Sequence, residues 1–257
     1  MVMSDETAVS GSVQADGTEE ESSELKAVFD EIARRFQVSF HPLQYDDVIF
    51  QVLDVANMTQ YLDRLLATKA IKNPLKDLPL WAKIWPGSFV LETYLRKKAA
   101  TQGRNLLELG CGCGVLSLLA SRLGFASITA SDVEDEALLF ARANVLKNHL
   151  EHLIHVQHVD VTRPGRNPCL DSEIDIIAAS EILYLDDLHT PLLNFLDRHL
   201  AQDGQAVFCT DMARRKPHFA RKAAKRFKVQ ELYLPGSFTD KEGALQRRLY
   251  SLLIVQK

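Results

Sequence analysis

The sequence is short of cysteine, of positive charge and of long apolar runs, and each shortage removes a class of protein. Four cysteines stand at positions 111, 113, 169 and 209. Two of them lie two residues apart inside a glycine-rich turn, where a bridge would wreck the backbone, so no disulfide framework is expected. Reduced thiols and a cytoplasmic location follow as the expectation. The formal net charge is −4, which supplies no global basic field to recruit nucleic acid or an anionic membrane surface. The local basic run Arg214-Arg215-Lys216, with Arg221-Lys222 and Lys225-Arg226 after it, reads as a solvated helix face. No stretch approaches the ~18 apolar residues of a membrane span. The opening Met-Val-Met-Ser-Asp-Glu lacks the basic-then-apolar order of a secretory signal. Neither nucleic acid nor membrane is expected as a partner.

What is present is ordinary in amount, 46% apolar and 25% charged over 257 residues, enough for one sizeable core with an appendage. Residues 1–21 hold Ser, Thr, Glu, Asp and Gly with few large apolar groups, the composition of a flexible tail. From Glu24 to Phe36 the apolar positions Leu25, Val28, Phe29, Ile32, Ala33 and Phe36 recur at helical spacing. A strand over 47–54 and a helix from Met58 to Ala67 follow. Residues 22–79 thus read as a small N-terminal α/β cap before a main domain over 80–257.

From Arg104 short apolar runs alternate with amphipathic stretches. The spacing predicts strands over 104–109, 127–132, 153–159, 173–180, 204–210, 228–233 and 248–255, with helices over 114–123, 134–148, 187–200 and 216–227. Near-continuous apolar strands alternating with helices imply a mostly parallel sheet covered on both faces. Pro235-Gly236-Ser237 and polar residues join the last two strands without a convincing helix, so the final strand is expected to run antiparallel. The expected fold is a doubly wound, seven-strand, Rossmann-like α/β sheet.

The chemistry gathers at Glu108-Leu109-Gly110-Cys111-Gly112-Cys113-Gly114, between a buried strand and a helix. Glycines there allow positive φ and close backbone approach to a ligand, and the helix start offers unpaired N–H groups. A dinucleotide fingerprint needs its third glycine at 115, and that residue is Val115. Asp132 ends the next strand, placed to accept both hydroxyls of a ribose. Asp160-Val161 follows the third strand.

With an acid two residues ahead, glycines at 110, 112 and 114 resemble motif I of class I S-adenosylmethionine-dependent methyltransferases. The resemblance implies S-adenosyl-L-methionine as cofactor, with S-adenosyl-L-homocysteine as product. It also implies Glu108 near the cationic methionyl portion, the backbone of Gly110, Cys111, Gly112 and Gly114 facing the cofactor, and Asp160 at the adenine amino group. Ser180-Glu181-Ile182-Leu183-Tyr184 ends the fourth strand, on the edge where ligands bind in open α/β sheets. Methyltransferases of planar amides and base amines often carry Asn-Pro-Pro-Tyr there, and this chain does not. Glu181 and Tyr184 instead resemble the D/E-x-x-Y motif of the seven-strand protein lysine methyltransferases, often called family 16. Leu80-Trp81-Ala82-Lys83-Ile84-Trp85-Pro86-Gly87-Ser88 is similar to the Trp-Pro segment ahead of motif I in that family, where the tryptophan region, here Trp85, lines the cofactor pocket. Ser180 is grouped with the cofactor residues. The likeness runs from about Leu80 to Leu200.

Methyl transfer to nitrogen asks mainly for in-line positioning. A lysine amine, with an ordinary pKa of about 10.4, must first lose a proton. A desolvated pocket helps, Glu181 can orient the amine or pass its proton to water, and Tyr184 can orient the amine or face the methyl donor. The expected partner is a substrate protein. A small-molecule (heterocyclic amine) N-methyltransferase and a non-catalytic cofactor-binding partner protein are the alternatives. Core packing explains Trp81 and Trp85 as well as cofactor contact does. His149, His152, His155 and His158 run from a helix end into a strand and share no face, so no metal is expected. Cys209 reads as core, and Asp211 as either structural or at the substrate mouth.

Overall fold

The computed structural model describes residues 22–68, 78–163, 170, 173–215, 217–239 and 245–257; the tail expected over 1–21 lies outside them. The first element is α1 (Ser23–Ala33), whose Ser22 hydroxyl accepts from the Leu25 amide at 3.1 Å and so caps an orphan N–H. Its Leu25, Val28 and Ile32 are buried, the 3.6-residue stripe read from the sequence. A hairpin follows, β1 (Val38–Tyr45) and β2 (Val48–Val55), closed by Asp46 at φ 50. The β1 strand was not legible because His41 and Pro42 interrupt its alternation; Pro42 is tolerated at a sheet edge. Next come α2 (Met58–Ala67) and α3 (Gly87–Lys98).

The main sheet contains β3 (Asn105–Leu109), β4 (Ser127–Asp132), β5 (Ile154–His158), β6 (Ile174–Ser180), β7 (Leu200–Asp211), β8 (Lys228–Thr239) and β9 (Leu245–Gln256). The interleaved helices are α4 (Val115–Ala120), α5 (Asp135–Lys147), α6 (His189–His199) and α7 (Pro217–Ala223). The strand order is β5-β4-β3-β6-β7-β9-β8. Pairings from β5 through β7 are parallel, and β9 runs antiparallel to both β7 and β8. Order reverses on either side of β3, so the crevice outside the carboxyl ends of β3, β4 and β6 is the topological switch point.

Alternation along the buried strands sorts side chains to two cores. Leu106, Ile128, Ala130, Ile176 and Ala178 face α3, α4 and α5, with the hairpin residues Phe50 and Val52 in the same cluster. Leu107, Leu109, Ile177 and Ala179 face α6 and α7. Glu108, between Leu107 and Leu109, therefore points toward α4.

The last hairpin departs from the expectation. Pro235 and Gly236 do not form its turn; they pair with Leu249 and Arg248 inside β8. The strand lies at the sheet edge, where a missing N–H is tolerated.

The first hairpin docks onto α5 through two asparagines. The Leu53 amide donates to Asn144 Oδ1 at 2.8 Å, and Asn144 Nδ2 donates to the Cys113 carbonyl of the glycine loop at 2.8 Å. Asn148 exchanges two hydrogen bonds with the Gln51 backbone at 2.8 Å. Asn144→Ala would leave a buried donor and a buried acceptor unpaired, at a cost of about 2–4 kcal/mol. Urea unfolding should show that loss, and a change under 1 kcal/mol would deny the linkage its structural weight.

Candidate functional site

At the switch point lies a cleft of about 1200 Å³. Of the residues singled out from the sequence, Trp85, Glu108, Gly110, Cys111, Gly112, Asp132, Asp160, Ser180, Glu181 and Tyr184 all line it. Gly114 does not. It is the N-cap of α4 at φ 78, a left-handed conformation that favours glycine, and a Cβ there would also stand only 3.2 Å from the Ala141 Cβ.

The loop glycines at 110 and 112 adopt φ 68 and φ 54. A Cβ on Gly112 would lie 2.8 Å from the Trp81 carbonyl oxygen, and one on Gly110 2.8 Å from the Ile182 side chain. The loop is thus pressed between the segment ahead of α3 and the turn after β6. Trp81 packs against Phe36 and Phe140 at the edge of the core and also lines the cleft. Trp85 anchors its indole N–H on the Leu80 carbonyl at 2.9 Å.

Three carboxylates differ in environment. Glu108 accepts from the Ser117 amide at 2.9 Å and the Ser117 hydroxyl at 2.5 Å. Burial, with the nearby Asp132 charge, pushes it up to about 8 against the Ser117 bonds. Asp132 accepts from the amides of Gly112 at 2.9 Å, Val133 at 2.7 Å and Glu134 at 3.1 Å. Burial nevertheless raises its pKa. Three of roughly four acceptor positions on Asp132 are taken by backbone, leaving about one for an incoming hydroxyl. At Asp160 burial pushes upward, but the Thr162 hydroxyl and amide at 2.6 and 2.8 Å, helped by Arg163, hold the carboxyl below its ordinary value.

The turn after β6 carries a strained residue. Glu181 sits at φ 58 without being glycine, a conformation that persists only where its surroundings fix it. Its amide donates to the Cys209 carbonyl at 2.9 Å, while its carboxylate accepts from the Asp211 amide at 2.9 Å and from Arg214. Tyr184 is raised by burial and by the carboxylates of Asp132, Glu181 and Glu134 around it. The Ser180 hydroxyl is buried with no hydrogen-bond partner, and a Cβ on Gly87 would stand 2.3 Å from it. A buried orphan hydroxyl costs free energy unless something satisfies it. Together with the glycine cradle and the acids, it fits a ligand carrying hydroxyls and positive charge.

Burial raises the Cys111 thiol well above its ordinary value and Cys113 to about 12, so neither supplies a thiolate nucleophile. Among the described residues, no three His, Cys, Asp or Glu side chains cluster as a metal site. Nor is any described helix long and apolar enough to cross a membrane. Arg214 was hidden in the basic run read as a solvated face; its spacing of three from Asp211 was the available signal. Ser117, on the first turn of α4, carried no motif at all.

A family model described as lysine methyltransferase matches residues 47–228. The chain is 30% identical over 173 residues to the protein N-lysine methyltransferase METTL21A of Mus musculus, which covers 65% of this chain and 77% of that protein. It is 29% identical over 112 residues to the ribosomal protein L11 methyltransferase of Lactobacillus johnsonii, over 44% of this chain and only 33% of that protein. Among solved structures, the precorrin-6y C5,15-methyltransferase of Geobacter metallireducens aligns with a TM-score of 0.50 over 66% of this chain and 87% of that one. At 18% identity it shows the fold alone.

Proposed function

The chain belongs to the lysine methyltransferase family, and from that premise we propose that it transfers a methyl group from S-adenosylmethionine to a lysine side chain of a protein. The observation that carries the proposal is the sharing of one cleft by Glu108, Gly112 and Asp132 with Glu181 and Tyr184. Bound there, S-adenosylmethionine supplies a sulfonium methyl with its own leaving group.

The chain's residues then have positional work to do. Glu108 faces the cationic portion of the cofactor and can ionise opposite it. Asp132 sets the Gly112 backbone and offers its remaining acceptor position to a ribose hydroxyl. Asp160 closes the adenine end, and the orphan Ser180 hydroxyl gains a partner. Trp85 walls the cleft. Glu181, with one acceptor position left after its contacts with Asp211 and Arg214, orients an N–H of the amine. The half-buried Tyr184 lines the same cleft.

Purified chain, tritiated S-adenosylmethionine and a cell lysate provide the test. Label should enter a protein band that survives denaturation. Glu181→Ala should lower the transfer rate about 100-fold while S-adenosylhomocysteine binding stays within a few-fold. Label confined to the low-mass fraction would refute a protein substrate, and absence of S-adenosylhomocysteine binding would refute the cofactor.

A further inference from the structure

Glu181 is the acid that methyl transfer places beside the acceptor amine, and it is already paired. Its Oε2 accepts from Arg214 Nε at 3.0 Å, and its Oε1 lies 2.9 Å from Arg214 Nη2. The Glu181 side chain is 7% exposed and that of Arg214 37%. Arg214 ends a single 3₁₀ turn, Met212–Arg214, capped by Asp211 Oδ1, which accepts from the Ala213 amide at 2.9 Å. Its guanidinium carbon lies 5.5 Å from the centre of the Trp85 ring, and the Lys83 ammonium lies 4.8 Å from the same ring. Glu181, Arg214, Trp85 and Lys83 all line the cleft.

A bare carboxylate facing a lysine stabilises the ammonium form, which has no lone pair with which to attack. A neighbouring cation does the reverse. Resting on the methyl-transfer reading, we propose that Arg214 is a positioning residue that cancels the charge of Glu181, so that the acceptor amine meets a neutral pair and attacks as the free amine. The planar fork of Arg214 fixes both Glu181 oxygens and leaves one acceptor position for an amine N–H. The proton of the incoming ammonium leaves to solvent. The nitrogen lone pair then forms the N–C bond while the S–C electron pair returns to sulfur.

Other charged and titratable groups face this pair from the elements packed against it. From β7, Asp211 accepts from Arg248 at 2.9 Å and lies 3.7 Å from Arg214; burial opposes, but the Ala213 amide and the two arginines hold it below its ordinary value. Cys209, also on β7, stays a thiol, pushed up by burial and by Glu181 and Asp211. From β9, Tyr250 is raised to about 12 by burial and Asp211. Tyr184 is raised by burial, with Asp132 and Glu134 from the end of β4 contributing. Lys83 and Arg214 both lie over the Trp85 ring. Replacing Arg214 also removes one of the two arginines beside Asp211, whose contact with Arg248 at 2.9 Å remains.

The test is the pH profile, from 6 to 10, of tritium transfer from S-adenosylmethionine into total lysate protein by the full chain. In Arg214→Gln the unpaired Glu181 should move the acid limb up by about one unit. In Glu181→Gln the unpaired arginine should move it down by a similar amount. The double variant should return it to the wild-type position, and Arg214→Lys should keep that position at a lower rate. S-adenosylhomocysteine titration checks each fold; should Arg214→Gln fail to bind, the downward shift in Glu181→Gln and its reversal in the double variant still decide. One limb position shared by the wild type, Arg214→Gln, Glu181→Gln and the double variant, whatever their rates, would overturn the role of Arg214 alone. No transfer by the wild type would overturn the methyl-transfer reading beneath it.

Discussion

Asp132→Ala is expected to weaken S-adenosylhomocysteine binding by about 100-fold or more. The carboxylate does two things that one methyl group does not. It holds the Gly112, Val133 and Glu134 amides at 2.9, 2.7 and 3.1 Å, and it keeps about one acceptor position for a ligand hydroxyl. A hydrogen bond to a charged group contributes about 1.5–3 kcal/mol. Losing one such bond to the ligand and loosening the loop that cradles it add to roughly 3 kcal/mol, a factor of about 100. Asp132→Asn, which keeps one accepting oxygen but turns the other position into a donor, should fall between. Calorimetric titration measures both, and a loss under tenfold for alanine would show that Asp132 neither shapes the loop nor meets the ligand.

The second large effect concerns pH. Burial holds the Glu108 pKa at about 8, raised from 4.5. Below the lower value both folded and unfolded chains keep the proton and nothing is lost. Between the two the unfolded chain releases it and the folded chain does not, so stability falls as pH rises. Above about 8 the folded chain ionises too and the loss is complete, at up to about 4–5 kcal/mol. Glu108→Gln keeps an oxygen for the Ser117 amide and hydroxyl without the buried charge. The variant should match the wild type at pH 4 and exceed it in melting temperature at pH 8. Its affinity for the cationic S-adenosylmethionine should drop about tenfold at pH 8, and that for neutral S-adenosylhomocysteine much less. Parallel melting curves at both pH values would rule out a buried titrating Glu108.

Much of the frame was legible because it depends on local pattern. The strand over 127–132 matches β4 to the residue, since Ile128 and Ala130 fill one face and Asp132 closes the run at the loop. The helix over 134–148 and the observed Asp135–Lys147 differ by one residue at each end, where caps fray. Less legible were elements whose pattern conflicts with their setting. The β7 strand was read from 204 but starts at Leu200, because Gln202, Asp203 and Gly204 look like a turn while Leu200 pairs with Ile174 across a register shift. The α3 helix begins with Gly87 and Ser88 and buries residues around much of its circumference, so no single stripe announced it.

At the site, the sequence determined which chemistry-bearing residues exist and the order in which strand ends present them. Glycine spacing, an acid before it and acids at the next two strand ends are short-range facts, because chain connectivity alone puts them at the carboxyl edge of a parallel sheet. Tertiary structure alone decided which acids remain available. Asp132 is largely committed to backbone amides, Glu108 is desolvated beneath α4, and Glu181 is paired with Arg214, 33 positions further along the chain. A carboxylate's charge state and free lone pairs are set by the dielectric and donors around it, and those donors come from elements distant in sequence. The pairing that turns Glu181 from a bare charge into half of a neutral pair therefore exists only once β6, β7 and the turn after β7 are folded against each other.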